Sequence, residues 1–354
     1  MSPAYNDGVE LEVEIAAPTG RGWLVRSSPY LQLIFQIVFA ATLLGLLLWR
    51  VDVGQVRDDL RGAEFWWRPL AFAANLFSDY FRAIRWREFF RPLTKVSVWF
   101  LWAVAILGVA CNLALPLRAG EFVRMQVLRK RTGLELGQVI ATILSEKLMD
   151  IVAFSAFLIL GMLLFDDARF LWPLALLYVV VLVGGVLGAR WLARSSETIV
   201  SPEGKLRGWI FVQLRSVGTG LQAFRDRKSL AIVSAASVAA WLTESVVYYA
   251  CGRALGIDLN PAVYLLVVVA ATVAVSLPFT QAGLGVFEVA ITGLMVAFGV
   301  GKSQAAAFAI VAHVMEAMPY LLTGPLTAVA LRLSPNDIFF TFKRRTEPAD
   351  ATTV

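Results

Sequence analysis

Between Cys111 and Asp150, in a stretch that has apolar sequence on both sides, six of the charged side chains could bind an anion or balance its charge. They are Arg118, Glu121, Arg124, Glu146, Lys147 and Asp150. A guanidinium group binds phosphate through paired hydrogen bonds, and nearby carboxylates can balance or exchange with such an anion. Because Glu146 and Asp150 are one helical turn apart, they share a helix face, and Lys147 can reach Asp150 at i+3. The pattern predicts a polar cavity that binds an anionic head group.

The alternative for these charges is a buried ion-pair network that only locks helices together. An ionisable residue at mid-membrane costs roughly 2.5–3.5 kcal/mol on insertion scales, so the group at 146–150 should face the protein interior. Its predicted partners are Arg82, Arg118 and Arg124. The same two interpretations stay open for Glu244. His313 is interpreted as a packing histidine, one turn before Glu316 on its helix.

The composition indicates an integral membrane protein. Of the 354 residues, 58% are hydrophobic and 16% are charged, whereas soluble domains carry roughly 25% charged residues. The basic balance, with a pI of about 9.5, is expected from cytoplasmic loops and does not indicate nucleic-acid binding. With one histidine and no Cys/His cluster, we expect no metal or other cofactor.

Apolar segments of about 20 residues predict an all-α polytopic membrane protein with about eight or nine helical segments. The segments are 30–49, 65–83, 96–115, 138–165, 171–192, 229–251, 263–278, 285–300 and 304–331. The predicted domains are a disordered cytoplasmic tail at 1–29, a transmembrane domain at 30–332 and a cytoplasmic tail at 333–354. Residues 52–64 are predicted to be a short polar loop, and 206–224 either an interfacial amphipathic helix or a solvated linker.

Charge bias predicts the orientation in the cell membrane. Basic stretches at 82–95, 193–228 and 343–345 belong inside, and the loops at 52–64 and 166–170 belong outside, so both termini are expected in the cytoplasm. An odd number of crossings must then separate 82–95 from 166–170, although two apolar segments lie there. Residues 112–133 must therefore fail to cross, or cross as a broken helix, and Pro116 and Gly120 supply the break.

A second break occurs between Ser276 and Glu288, which again contains Leu-Pro, a polar run and glycines. Downstream spacing also repeats, because 17 residues separate Gly133 from Asp150 and likewise Gly299 from Glu316. Two interrupted segments in corresponding positions predict a possible internal repeat with a transporter site at its interface. Chance recurrence of Leu-Pro with glycine is the alternative. The glycines at 283 and 285 could form a backbone anion nest or could serve packing alone.

Three motifs resemble the lysylphosphatidylglycerol synthase transmembrane-region family, which has a flippase-like domain. They are Asn112, Pro116, Arg118, Gly120, Glu121 and Arg124; then Glu146, Lys147 and Asp150, with Lys where the family has Arg; then Pro278, Gly283, Gly285 and Glu288. The resemblance runs from about Leu31 to Leu331 and implies translocation of a phospholipid or polyprenyl-linked head group. Because no aminoacyl-transferase domain follows Leu331, synthase activity is not expected, and a lipid-modifying enzyme is a possible partner.

The sequence therefore predicts a lipid translocase, and we expect a transporter rather than an enzyme. Its two broken or re-entrant segments are predicted to meet near the bilayer midplane. The predicted substrate-binding residues are Arg82, Asn112, Arg118, Glu121, Arg124, Glu146, Lys147, Asp150, Gln281, Gly283, Gly285, Glu288 and Glu316. Two alternatives stay open: an enzyme acting on a lipid-linked sugar, and an accessory partner of a biosynthetic enzyme. The sequence makes no prediction of the oligomeric state.

Overall fold

The computed structural model describes residues 29–64, 66–115, 119–198, 226–277 and 280–333. Several predicted features therefore lie outside the described residues: Pro116, Arg118, Pro278, residues 206–224 and the two tails. Of the tails, the structure describes Pro29, which ends the first, and Leu333, which begins the second. Eleven α-helices and two short 3₁₀ turns make up the described chain. The helices are α1 (Pro29–Trp49), α2 (Val53–Gly62), α3 (Trp67–Phe90), α4 (Val98–Ala114), α5 (Gly120–Thr132), α6 (Leu136–Leu164), α7 (Trp172–Thr198), α8 (Arg227–Ala254), α9 (Val263–Ser276), α10 (Val286–Ala297) and α11 (Lys302–Ala330).

The nine predicted apolar segments correspond to nine of these helices, and the all-α polytopic prediction is confirmed. Two further helices lie outside these segments, α2 where a loop was predicted and α5 where a broken helix was one of two predictions. The expected loop at 52–64 contains α2, whose first turn is capped by Asp52 as its side chain accepts a hydrogen bond from the backbone N–H of Gln55 at 3.1 Å. The basic region after the first break contains α5, which ends at Gly133 in the left-handed conformation (φ 69°).

The prediction that 82–95 is a basic loop was wrong over most of its length, because α3 continues to Phe90. Arg85 is fully buried and Glu88 is 2% exposed. Asn75, Asp79 and Arg82 follow one another at i, i+4 and i+7, so they lie on one helix face. Arg82 and Arg85 thus point into the protein rather than contribute to a cytoplasmic loop.

Among the described residues, four helical segments are long and apolar enough to cross a membrane: Leu136–Leu164, Asp166–Gly185, Arg227–Ala254 and Lys302–Ala330. The pair α1 and α2, bent by 92° at its break, makes a fifth if it counts as one span. By contrast, α4, α9 and α10 have 17, 14 and 12 residues. Each is shorter than the roughly 20 residues that a full crossing needs.

The order of elements repeats along the described chain. Helices α3, α4, α5 and α6 form a series in which a long helix precedes a short helix, a break, another short helix and a long helix. Helices α8, α9, α10 and α11 form the same series. Gly133 and Gly299 both have a left-handed φ, each three residues before a helix of 29 residues. The first helices of the two series, α3 and α8, make the most extensive helix pair in the structure.

Candidate functional site

A cavity of about 240 Å³ lies where the two breaks come together, among α1, α3, α4, α5, α6, α8, α9, α10 and α11. Nine predicted site residues line it: Arg82, Asn112, Glu121, Arg124, Glu146, Lys147, Asp150, Gln281 and Glu316. Arg118 lies outside the described residues. Gly283, Gly285 and Glu288 lie beside the cavity rather than in its wall.

Arg124 on α5 pairs with two carboxylates in the cavity wall. Its Nη2 donates to Glu146 Oε2 at 2.9 Å, and its Nη1 donates to Glu121 Oε2 at 3.2 Å. The guanidinium also lies 4.3 Å from the ring centroid of Trp86, which adds a cation–π contact. Gly108 on α4 makes room for this side chain, because a Cβ at that position would overlap the Arg124 stem.

Arg85 is a buried charged residue beside the cavity that the sequence analysis did not predict as part of the site. Its Nη1 donates to Asp150 Oδ1 at 2.8 Å and to Ser237 Oγ at 3.3 Å, and its Nη2 lies 3.9 Å from Glu146 Oε1. The predicted contact of Lys147 with Asp150 is therefore replaced by Arg85. The spacing of polar residues from 75 to 85 was the available signal, since it continues a helix face beyond the apolar run.

A second charged cluster surrounds Arg82. Its Nη1 donates to Asp79 Oδ1 at 3.2 Å, and its Nη2 lies 3.3 Å from Glu244 Oε2. Glu316 Oε2 accepts a hydrogen bond from Asn75 Nδ2 at 3.3 Å, and its carboxylate lies within electrostatic range of Glu244 and Arg82. Three carboxylates in the described chain thus share one guanidinium, which leaves a local excess of acid.

Gln281 joins the two interruptions of the chain. Its Nε2 lies within hydrogen-bond distance of three carbonyl oxygens at the end of α4, those of Asn112 (3.0 Å), Leu113 (3.0 Å) and Leu115 (2.8 Å). These carbonyls would otherwise lack helical partners, because the last turn of a helix leaves its C=O groups unsatisfied. The side chain of Asn112 in turn accepts a hydrogen bond from the N–H of Gly120 at 2.9 Å.

Glu288 and His313 hold the second break against α11. His313 Nδ1 lies 2.6 Å from Glu288 Oε1, and Nε2 lies 3.2 Å from the carbonyl oxygen of Ala282. A carbonyl only accepts, so Nε2 carries a hydrogen. Glu288 Oε2 accepts the N–H of Gly285 at 2.7 Å. That N–H is therefore used within the protein, which argues against an anion nest at Gly285.

Several buried polar atoms around the cavity have no hydrogen-bond partner within the described chain. They include Trp241 Nε1, Arg124 Nε, Thr280 Oγ1 and Glu316 Oε1. Leaving a buried donor or acceptor unsatisfied costs about 1–3 kcal/mol, so such atoms normally bond to water or to a ligand. The cavity therefore offers both donors and acceptors to a polar solute, inside a bundle of apolar helices.

The comparisons with known proteins agree with this architecture. The family model described as lysylphosphatidylglycerol synthase TM region matches residues 33–324. The chain is 26% identical over 294 residues to a glycosyltransferase, AglD, of Haloferax volcanii, covering 72% of this chain and 47% of that protein. It is 24% identical over 311 residues to a UPF0104 membrane protein of Methanothermobacter thermautotrophicus, covering 79% and 90%.

The chain spans about half the length of AglD, so the similarity concerns one part of that relative. The UPF0104 relative is matched over nearly all of its length. Together with the apolar helices, the family match over most of the chain identifies a multi-pass membrane protein. The protein belongs to the lysylphosphatidylglycerol synthase TM region family.

Proposed function

We propose that this protein is a lipid translocase that moves the head group of a phospholipid or a lipid-linked anionic group across the bilayer. The observation that carries the proposal is the charged cavity that lies within the bundle of a membrane protein. Its wall includes three cations, Arg82, Arg124 and Lys147, together with six carboxylates contributed by Asp79, Glu121, Glu146, Asp150, Glu244 and Glu316. Burying so many charges is costly unless they are paired or serve a substrate.

The ion pairs change which groups would hold the substrate. Arg82 and Arg124 are each engaged by two carboxylates, so neither offers a free guanidinium fork to phosphate. Their remaining role is to offset part of the negative charge that the carboxylates bring to the cavity wall. The N–H groups of Trp241 Nε1 and Arg124 Nε are buried without a hydrogen-bond partner in the described chain, and both side chains line the cavity. These groups would donate to phosphate or hydroxyl oxygens of the head group.

The proposal includes a topology. We place the protein in the cell membrane with both termini in the cytoplasm, and treat the α4–α5 and α9–α10 pairs as re-entrant elements. The short lengths of α4, α9 and α10 support this arrangement, as do the contacts of Gln281 that bring the two breaks together. Accessibility of single cysteines introduced at Arg129 and Asp167 would test it, with labelling expected from opposite sides.

Reconstitution tests the function. Full-length protein is placed in liposomes containing a phospholipid with a fluorescent head group, and loss of outer-leaflet fluorescence to a membrane-impermeant quencher is followed. Translocation requires exchange between leaflets that exceeds exchange in protein-free vesicles. If exchange in proteoliposomes equals exchange in protein-free vesicles, both for phospholipids and for polyprenyl phosphates, the proposal is rejected.

A second candidate function is a role in glycosyl transfer to a lipid, either as an enzyme or as an accessory partner. The similarity to AglD, a protein named as a glycosyltransferase, favours it. Product formation from a lipid-linked sugar in detergent, where no second compartment exists, would support enzyme activity over translocation. Co-purification with a soluble transferase, without activity alone, would support the accessory role.

A further inference from the structure

An apolar groove of about 450 Å³ opens beside the charged cavity, along α5, α6, α7 and α9. Its apolar wall is formed mainly by Met125, Ile140, Ile143, Leu144, Ile151 and Phe154. The groove and the cavity share five lining residues: Glu121, Lys147, Asp150, Thr272 and Ser276. Because they share a wall, a molecule with an apolar end and a polar end could occupy both at once.

Lys147 lies at the junction of the two spaces. Its side chain is exposed and makes no ion pair within the described chain, unlike the other cations of the cavity wall. The acids beside it are already engaged, since Asp150 pairs with Arg85 and Glu121 pairs with Arg124. The carboxylate of Glu146 lies close enough to attract Lys147 but is itself paired with Arg124. An ammonium group on an apolar membrane helix costs roughly 2.5–3.5 kcal/mol without a partner. The junction therefore has an exposed cation that makes no ion pair of its own.

The neighbours of Lys147 on α6 indicate what brings that anion. Leu144, one turn before Lys147, is 51% exposed, and Ile151, one turn after it, lines the apolar groove. A free inorganic anion would gain nothing from such a wall. A phosphate that is attached to a hydrocarbon chain matches both the cation and the apolar surface.

We propose that the groove is the lateral entrance for the lipid: a hydrocarbon chain lies along α6, its phosphate binds Lys147, and the head group extends into the charged cavity. This inference rests on the proposed function and names the substrate as a lipid with a phosphate next to its apolar chain. Lys suits the position because its ammonium is a point charge on a flexible stem and binds phosphate from several directions.

Photo-crosslinking of full-length protein in nanodiscs tests the entrance. One probe is phosphatidic acid with a diazirine in its acyl chain, and the second is diacylglycerol with the same chain, which lacks the phosphate. Peptide mapping measures labelling of α6 between Ile140 and Ile151. The variants are Lys147→Gln and, as a matched control on the far end of α11, Lys302→Gln, which lines neither space.

In the wild-type protein and in Lys302→Gln, we expect the phosphate probe to label α6 about tenfold more than the phosphate-free probe, as one charge-assisted hydrogen bond allows. Lys147→Gln should bring the two probes to equal labelling. Equal labelling in the wild type, or an unchanged preference in Lys147→Gln, would overturn the entrance.

The two proposals fail separately in these experiments. If lipid crosses the bilayer of wild-type proteoliposomes but the labelling of α6 does not depend on Lys147, the entrance proposal is wrong and the translocase proposal stands. If labelling depends on Lys147 but no lipid crosses, the groove binds lipid and the translocase is wrong.

Discussion

Gln281 donates its side-chain amide to the carbonyl oxygen of Leu115 at 2.8 Å, so a residue in the second break of the chain closes the helix that ends at the first break. The same amide reaches two further carbonyl oxygens of α4, those of Asn112 and Leu113. The two interruptions are thus one structural unit, and the cavity lies against it.

Replacing Gln281 with Leu should destabilise the protein by about 1–3 kcal/mol, because buried carbonyls lose their donor. Gln304→Leu is the matched control, since Gln304 donates to a single carbonyl, that of Leu255, at 3.0 Å. Thermal unfolding in detergent measures both. A larger loss for Gln304→Leu would contradict the role assigned to Gln281.

The close approach of α4 and α5 predicts a strong effect at Gly120. A Cβ at this position would overlap the carbonyl oxygen of Gly108 and press on the side chain of Asn112, so Gly120→Ala must push the helices apart. Gly293→Ala in α10 is the control, because no atom lies within 4 Å of the added methyl group. In an exposed helix position that change stabilises by about 0.5–1 kcal/mol. Recovery of folded protein after heating should fall sharply only for Gly120→Ala, and equal recovery would refute the helix contact.

The pair formed by Arg124 and Glu146 predicts non-additive mutants. Arg124→Gln leaves carboxylates without their main cation, and breaking a buried pair costs about 3–5 kcal/mol. Adding Glu146→Gln removes one of those uncompensated charges, so the double variant should regain much of the lost stability. Denaturation midpoints of the two single variants and the double variant form the cycle. If the two losses simply add, the groups do not interact as described.

The excess of acid around Arg82 predicts that removing this cation and removing a nearby carboxylate affect stability differently. Arg82→Gln removes the cation shared by Asp79 and Glu244 and should destabilise by several kcal/mol, following the cost of an unpaired buried charge. Glu316→Gln removes one of three nearby carboxylates, and its amide can still accept from Asn75, so stability should change little or rise. The same thermal assay compares them. Equal destabilisation by both variants would contradict this prediction, because the charge of Glu316 would then be as fully paired as that of Arg82.

Much of the fold could be predicted because apolar length and charge follow directly from the sequence. The nine apolar segments, the two breaks at residues 112–120 and 276–288, and the equal spacing after Gly133 and Gly299 were visible without coordinates. Helix α2 was missed because its polar sequence is short and depends on the Asp52 cap. Each of these features depends on residues that are close together in the sequence. Apolar length, breaks and helix caps are therefore patterns from which they can be predicted.

The pairing inside the site could not be predicted because it depends on how helices rotate against one another. Arg85 was assigned to a loop, since the apolar run ends before it, whereas packing of α3 on α8 buries it against Asp150. Because Asp150 pairs with Arg85, Lys147 lines the groove instead of pairing with Asp150 as predicted. Only the packed structure shows which cations are already paired.

The central claim is that lipid head groups pass through the charged cavity, and occlusion of that cavity tests it most directly. Val109 on α4 lines the cavity, whereas Val180 on α7 is 58% exposed on the outer surface. Head-group exchange is measured in proteoliposomes for the wild type, Val109→Trp and Val180→Trp, with folding checked by thermal unfolding. The account predicts that Val180→Trp exchanges lipid like the wild type and that folded Val109→Trp falls to the rate of protein-free vesicles. Undiminished exchange by folded Val109→Trp would contradict it.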